Sequence, residues 1–290
     1  MGTSDLYLSI PNISEGRRLE VIERIAKASE TSGARLLDVH SDRDHNRSVL
    51  TLAGTIDSLV TSSLQMTQEA VASIDLQKHE GVHPRIGAVD VIPFTAVPGR
   101  SNDLGQAIEA ATTTARRIWE ELAVPCFLYE LAALKRHTEA LSLPQIRRNA
   151  FELLAPDFGD APHPTAGATT VGARNSLVAY NVFLETEDES LAKTIARRVR
   201  SSSGGLPGIR ALGFYLTSRL QGQVSMNLIE PETTGIGAAY DVVAKEAKSL
   251  GVKIAGAELV GTCPRSTLEG RVPESIGLTK PPKFLEDLLA

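Results

Sequence analysis

The order of hydrophobic periodicities between residues 6 and 94 returns between residues 177 and 260, and this recurrence restricts the fold more than any other feature. In the first pass, residues 6–10 alternate as a strand and Pro11 stops them. Residues 12–16 read as a turn. Leu19, Ile22, Ile25, Ala26 and Ser29 share one helical face, with Asn12 or Ser14 as cap and residues 31–33 as the stop. Strands are expected over 34–39 and 46–53, joined by a polar turn at 40–45. A helix carrying Ile56, Leu59, Val60, Leu64, Thr67 and Val71 follows, and then a strand at 89–94. The second pass gives strands at 177–184, 209–216, 222–229 and 252–260. Its helices run through Leu191, Ile195 and Val199, and through Ala239, Val243, Ala247 and Leu250. Each pass is strand, helix, strand, strand, helix, strand, the ferredoxin-like order. The expected fold is α+β: two tandem ferredoxin-like (βαββαβ) subdomains, residues 1–175 and 176–290, with a ligand cleft or tunnel between them.

The material between the passes is a periodic helix through Leu104, Ile108, Ala111, Ala115, Ile118 and Leu122, a strand at 125–129 and a short helix from Leu143 to about Leu153. A loop rich in Gly, Pro and Thr follows at 157–174. Loops of that length inside a compact domain are usually functional or mobile, and this one is expected to line the cleft. Pro281 and Pro282 precede a short C-terminal helix, expected to be a docking tail.

The charges, −5 net and mixed along the chain, argue against a nucleic-acid binder, which needs a basic patch. No apolar run approaches the roughly 20 residues of a membrane span, and without a basic segment followed by an apolar stretch near the N-terminus no signal peptide is expected. Cys126 and Cys263 read as buried thiols in a reducing compartment, so the expected location is the cytoplasm.

Chemistry concentrates at residues 78–91, which hold Lys78, His79, Glu80, His83, Arg85 and Asp90 around Gly81, Pro84 and Gly87. Pro84 restricts His83 to extended backbone, so its imidazole sits on a stiff segment. An imidazole titrates near neutral pH and is the best base candidate; the plainer alternative is a histidine that caps a turn. His79, at the end of a helical pattern, is read as structural. His79 and His83 do not form a zinc pair, because Gly81 and Pro84 break the helix that such spacing needs. Arg47, Arg85 and Arg174 are candidate carboxylate clamps or surface ion pairs. Asp38 interrupts an apolar strand, and Asn12 stands between a strand and a helix. Residues 159–167 lack the Lys of a phosphate-cradling loop, and Gly167 and Gly172 are too loosely placed for a dinucleotide fingerprint.

The ordered motifs Pro11–Gly16 (PNISEG), 37–39 (LDV), 46–49 (NRSV), 79–94 (HEGVHPRIGAVDVIPF), 155–159 (APDFG), 167–169 (GAT), 172–174 (GAR), 223–228 (QVSMNL) and 259–261 (LVG) resemble the formiminotransferase family over nearly the whole chain. The resemblance implies two α/β subdomains with a folate tunnel, a homodimer, and transfer of the formimino group of N-formimino-L-glutamate to tetrahydrofolate, with no metal. It puts the catalytic histidine on His83. It puts folate contacts on Gly159, Asp160, Ala161, Pro162, His163, Pro164, Thr165, Ala166 and Gly167. Under that reading Arg47 or Arg85 holds a glutamate carboxylate, and Asp38, Asn12 and Asn46 are candidates to stabilise the tetrahedral intermediate. Residues 129–153 depart from the family pattern, as does His163 in the loop, so a formyl donor, or folate binding without catalysis, remains an alternative.

Overall fold

The computed structural model describes residues 6–30, 33–100 and 103–290. The stop expected at Thr31 and Ser32 lies outside them. The chain forms two compact units, Met1–Ser176 and Leu177–Ala290.

The first unit runs β1 (Tyr7–Ser9), β2 (Asn12–Ile13), α1 (Leu19–Ser29), β3 (Arg35–Asp42), β4 (Arg47–Gly54), α2 (Ile56–Ser73), β5 (Val89–Ala96), α3 (Leu104–Leu122), β6 (Cys126–Glu130), α4 (Leu143–Asn149) and β7 (Thr169–Ala173). β1 and β2 are one strand broken by Pro11, and both lie between β4 and β5. With β3 outside β4, these strands form the antiparallel ferredoxin-like sheet expected from the sequence. The sheet is then extended: β7 pairs parallel to β5, and β6 pairs parallel to β7. β7 lies inside the segment read as a loop. Its five residues, Thr-Thr-Val-Gly-Ala, are all buried, and a strand buried on both faces shows no polar alternation to reveal it.

Alternation along the strands sorts the side chains into two layers. Ile13, Leu50, Leu52, Ile92, Phe94 and Leu128 pack with Ile25, Leu59, Met66 and Ile118 of the three long helices. Each such side chain, fully buried, contributes roughly 1.5–3 kcal/mol. On the opposite face Val91, Phe127 and Tyr129 pack under Ile146 of α4. α4 starts from a Ser142/Gln145 capping box with Pro144 in its first turn, and ends at Asn149, earlier than expected.

The start of α1 differs from expectation. Leu19, placed on the buried face, is 65% exposed and covers nothing. Neither Asn12 nor Ser14 caps the helix. Ser14 donates its hydroxyl to Gly87 O (2.7 Å), and Asn12 Oδ1 accepts from Arg47. Arg18 stands at the N-cap position without a side-chain cap bond, and Glu15 braces the turn before it: its Oε1 accepts from the N–H groups of Arg17 (2.8 Å) and Arg18 (2.9 Å).

The second unit runs β8 (Val178–Leu184), α5 (Glu189–Val199), β9 (Ile209–Leu216), β10 (Gln221–Leu228), α6 (Ile236–Ser249), β11 (Ile254–Val260), β12 (Thr262–Cys263), β13 (Lys283–Phe284) and α7 (Leu285–Leu289). The sheet order is β11-β8-β10-β9, antiparallel throughout, which is the ferredoxin-like order again. Tyr180, Val182, Val224 and Met226 meet Ile195 and Val243 in its core. The C-terminal segment docks within this unit: β13 pairs with β12, Leu285 is buried, and Glu286 accepts from Arg265 N.

One close approach holds the functional segment to the extended sheet. Gly87 bridges Gly167, and Ala88 N and Ala168 N bond across to Ala166 O and Ile86 O. A Cβ on Gly87 would sit 1.9 Å from Ala168 O. Gly87→Ala is therefore expected to cost about 1–3 kcal/mol, read as a lower urea midpoint. An unchanged midpoint would contradict the close approach.

Candidate active site

The site is built around Asp90. Asn12 pairs with Val91 and Ile13 with Val89, so Asp90 is the extra residue of a β-bulge on β5. A bulge re-aims a side chain that regular pleating would place elsewhere. Asp90 is fully buried. Its Oδ1 accepts from Ile86 N (2.9 Å), and its Oδ2 accepts from both Arg47 Nη1 (2.7 Å) and Arg147 Nη2. Arg47 opens β4 and Arg147 lies on α4.

Arg47 is anchored on a second side by Asn12, whose Oδ1 accepts from Nη2 (2.7 Å) and Nε (3.0 Å). Its Nη1 also lies 3.2 Å from His83 Nδ1. The same Nδ1 is 2.8 Å from Pro84 O. A carbonyl only accepts and a guanidinium only donates, so the two contacts require different tautomers. The shorter one assigns the proton to Nδ1 and leaves the Nε2 lone pair as the basic position. The His45 ring lies 5.5 Å from that of His83, centroid to centroid.

The charges are unbalanced: two guanidinium groups meet one carboxylate. Burial alone would push the Asp90 carboxyl up, but Arg147, Arg47 and the Ile86 N–H hold it below the usual carboxylate range. Burial lowers Arg47 to about 10 against the support of Asp90, and it stays cationic at neutral pH. Burial, Arg47, Arg147 and His45 together hold His83 well below the ordinary imidazole value, with only the Pro84 carbonyl opposing. His83 is thus neutral and competent to accept a proton.

The other residues singled out from the sequence take varied places. Arg85 is engaged with main chain: it donates to Gly81 O (3.0 Å), His83 O (2.8 Å) and His79 O (3.1 Å), and so sets the curve of the loop that carries His83. Asn46, at φ +48°, accepts from Gly16 N (2.9 Å) and donates to Glu80 O (2.8 Å). His79 donates to Asn46 O (2.9 Å). Asp38 is buried on β3 opposite Thr51, on the same sheet face as Arg47 but four residues along from Arg47's ladder partner Asp42, or roughly 13 Å at ~3.3 Å per residue. Arg174 donates to the neighbouring carbonyl of Asn175.

In the loop, Gly159 (φ +96°) lies against Trp119 and Pro125. Asp160, Ala161, Pro162 and Pro164 are exposed, and Ala166 is buried. His163 and Gly167 exchange backbone hydrogen bonds, and His163 Nδ1 accepts from Ala166 N (3.0 Å). Thr165 O and Pro164 O accept from Leu76 N and the Gln77 side chain. His163, the departure from the family pattern, thus closes the turn on which this loop stands. Among the described residues no group of His, Cys, Asp and Glu side chains is placed to hold a metal ion, and no helix is long and apolar enough to cross a membrane.

The formiminotransferase domain, N-terminal subdomain, matches residues 6–174, and the formiminotransferase domain matches residues 179–270. The chain belongs to the formiminotransferase family. It is 40% identical to a glutamate formimidoyltransferase of Streptococcus pyogenes serotype M1, over 89% of each chain. It is 36% identical to one of Thermoplasma acidophilum, over 89% of this chain and 88% of that one. A formimidoyltransferase-cyclodeaminase of Sus scrofa is 36% identical over 91% of this chain and 51% of its own length, so the present chain spans about half of that protein.

Two members of this candidate site were assigned no role from sequence. Asp90 lies within the recognised motif, and a lone acid in the apolar run 88–94 is the signal that marks it. Arg147 stands beside Arg148 in a short helix, and only the three-dimensional arrangement shows which of the two reaches Asp90.

Proposed function

We propose that the protein is a glutamate formimidoyltransferase, moving the formimino group of N-formimino-L-glutamate to tetrahydrofolate. The observation that carries this reading is a neutral His83 held between a fixed Nδ1 contact and a cationic pair, in a chain of this family. N5 of tetrahydrofolate attacks the amidine carbon and its proton passes to His83 Nε2. The imidazolium returns that proton to the glutamate nitrogen, the C–N bond to it breaks, and glutamate leaves with the formimino group on N5. Arg47 is held in place by Asn12 and Asp90, and Arg85 and Asn46 hold the loop that presents His83. Asp38 is the carboxylate offered to cationic nitrogen on the same sheet face, and residues 159–167 are the folate-contacting loop. In this reading the first unit is the catalytic one. The family resemblance supports a cytoplasmic homodimer without metal.

Incubation with tetrahydrofolate and either N-formimino-L-glutamate or N-formyl-L-glutamate tests the proposal. Transfer from the formimino donor is the expected result; transfer from the formyl donor alone, or folate binding with no turnover, would overturn it. The pH profile gives an independent check. A depressed His83 pKa keeps the base form populated on the acid side of ~6.5. The acid limb of kcat/KM is therefore expected below that value, and a limb at or above it contradicts the two-arginine environment.

A further inference from the structure

We propose that Arg147 is the residue that binds the carboxylate of the formimino donor and so selects an amino-acid donor over an uncharged amidine. The proposal rests on the transferase reading above and names the recognition group within it.

Three arginines stand near the base, and two are engaged by the protein itself. Arg47 donates to Asn12 from two nitrogens and to Asp90 from the third. Arg85 donates to three main-chain carbonyls of its own loop. Among the described residues Arg147 makes one hydrogen bond, from Nη2 to Asp90. Its Nε is buried with no partner among them, and Nη1 donates to none of them. A guanidinium has five N–H donors in a planar fork, and a carboxylate is the ligand that matches such a fork.

Charge points the same way. Asp90 neutralises only one of the two guanidinium groups that share its Oδ2, and both side chains are largely buried, at 14% and 15% exposure. A second anion is needed to complete the cluster, and a substrate carboxylate supplies it. Such an anion also offsets one of the charges that keep His83 deprotonated, so donor binding raises the basicity of the group that must take the proton.

Distance selects the donor. Arg147 reaches His83 through two shared atoms, Asp90 Oδ2 and Arg47 Nη1. In formiminoglutamate a single carbon separates the α-carboxylate from the reacting nitrogen. The glutamyl tail of a folate lies beyond a whole aminobenzoyl group.

The experiment is calorimetric titration with L-glutamate, the released product, of the full chain and of Arg147→Gln, Arg147→Lys and Arg148→Gln, alongside transfer kinetics. Arg147→Gln is expected to weaken glutamate binding by about 10- to 100-fold and to raise the donor KM by a similar factor. The tetrahydrofolate KM is expected to stay within about threefold, because this assignment gives the arginine to the donor and not to the folate. Arg147→Lys, which keeps the charge and loses the fork, is expected to fall between, and Arg148→Gln, which is exposed, to match the wild type. Circular dichroism establishes that each variant is folded; should Arg147→Gln unfold, Arg147→Lys carries the comparison. Unchanged glutamate affinity in the folded Arg147 variants overturns the proposal, as does a wild type that does not bind glutamate at millimolar concentration. A wild type that binds glutamate through Arg147 but transfers no formimino group leaves this assignment standing and removes the transferase reading instead.

Discussion

His83→Ala is expected to transfer the formimino group about 10²–10⁴-fold more slowly than the wild type, while binding tetrahydrofolate within about threefold of wild-type affinity. The imidazole acts only as protons move, so its loss removes stabilisation of the transition state and leaves ground-state contacts in place. kcat and kcat/KM are expected to fall together. The structure gives a reason for the fold to survive. His83 is half-buried, is held neutral by its surroundings and bonds through Nδ1 to the main chain of the next residue. The loop around it is curved by Arg85, which bonds the backbone oxygen of residue 83 whatever side chain stands there. A second signature accompanies the loss of rate: the acid limb assigned to His83 disappears from the residual activity. Turnover within about tenfold of wild type, or an acid limb that persists unchanged, removes His83 from the role of base.

Much of this site was legible because its parts sit where local rules place them. Pro84 and the glycines around His83 mark a constrained segment in the sequence, and the structure shows the constraint in the Gly87 approach to Ala168 O. The two ferredoxin-like sheets follow from periodicity alone. What sequence reading missed depends on partners distant in the chain. The bulge at Asp90 is a property of pairing with β2, and one residue of register decides where that carboxylate points. β7 carries no alternation because both its faces are covered. Leu19 has the spacing of a core residue, but the helix begins there, one turn short of anything to cover it. Asn12 and Ser14 are suitable caps by residue type, and the sheet takes their side chains first.

Asp90→Asn is expected to destabilise the first unit by about 3–5 kcal/mol, as the loss of one partner from a buried ionic cluster does, and by more than Arg147→Gln. The inequality follows from the count of charges. Without Arg147, Arg47 and Asp90 remain a matched pair with Ile86 N on the other oxygen. Without the carboxylate, two buried guanidinium groups face each other and an amide that must aim either its NH₂ or its single oxygen at them. Adding Arg147→Gln to Asp90→Asn is expected to recover about 1 kcal/mol or more, since that pair of changes removes one repelling cation. Acid titration supplies the independent reading. The folded-state pKa of Asp90 is depressed, so its contribution is present above the ordinary carboxylate value and is lost as the pH falls through the folded value. Wild-type stability is therefore expected to decline more steeply on the acid side than that of Asp90→Asn, and urea midpoints measured from pH 7 downward separate the two slopes. If Arg147→Gln proves as damaging as Asp90→Asn at neutral pH, the cluster is balanced by some further anion and the excess positive charge beside His83 does not exist.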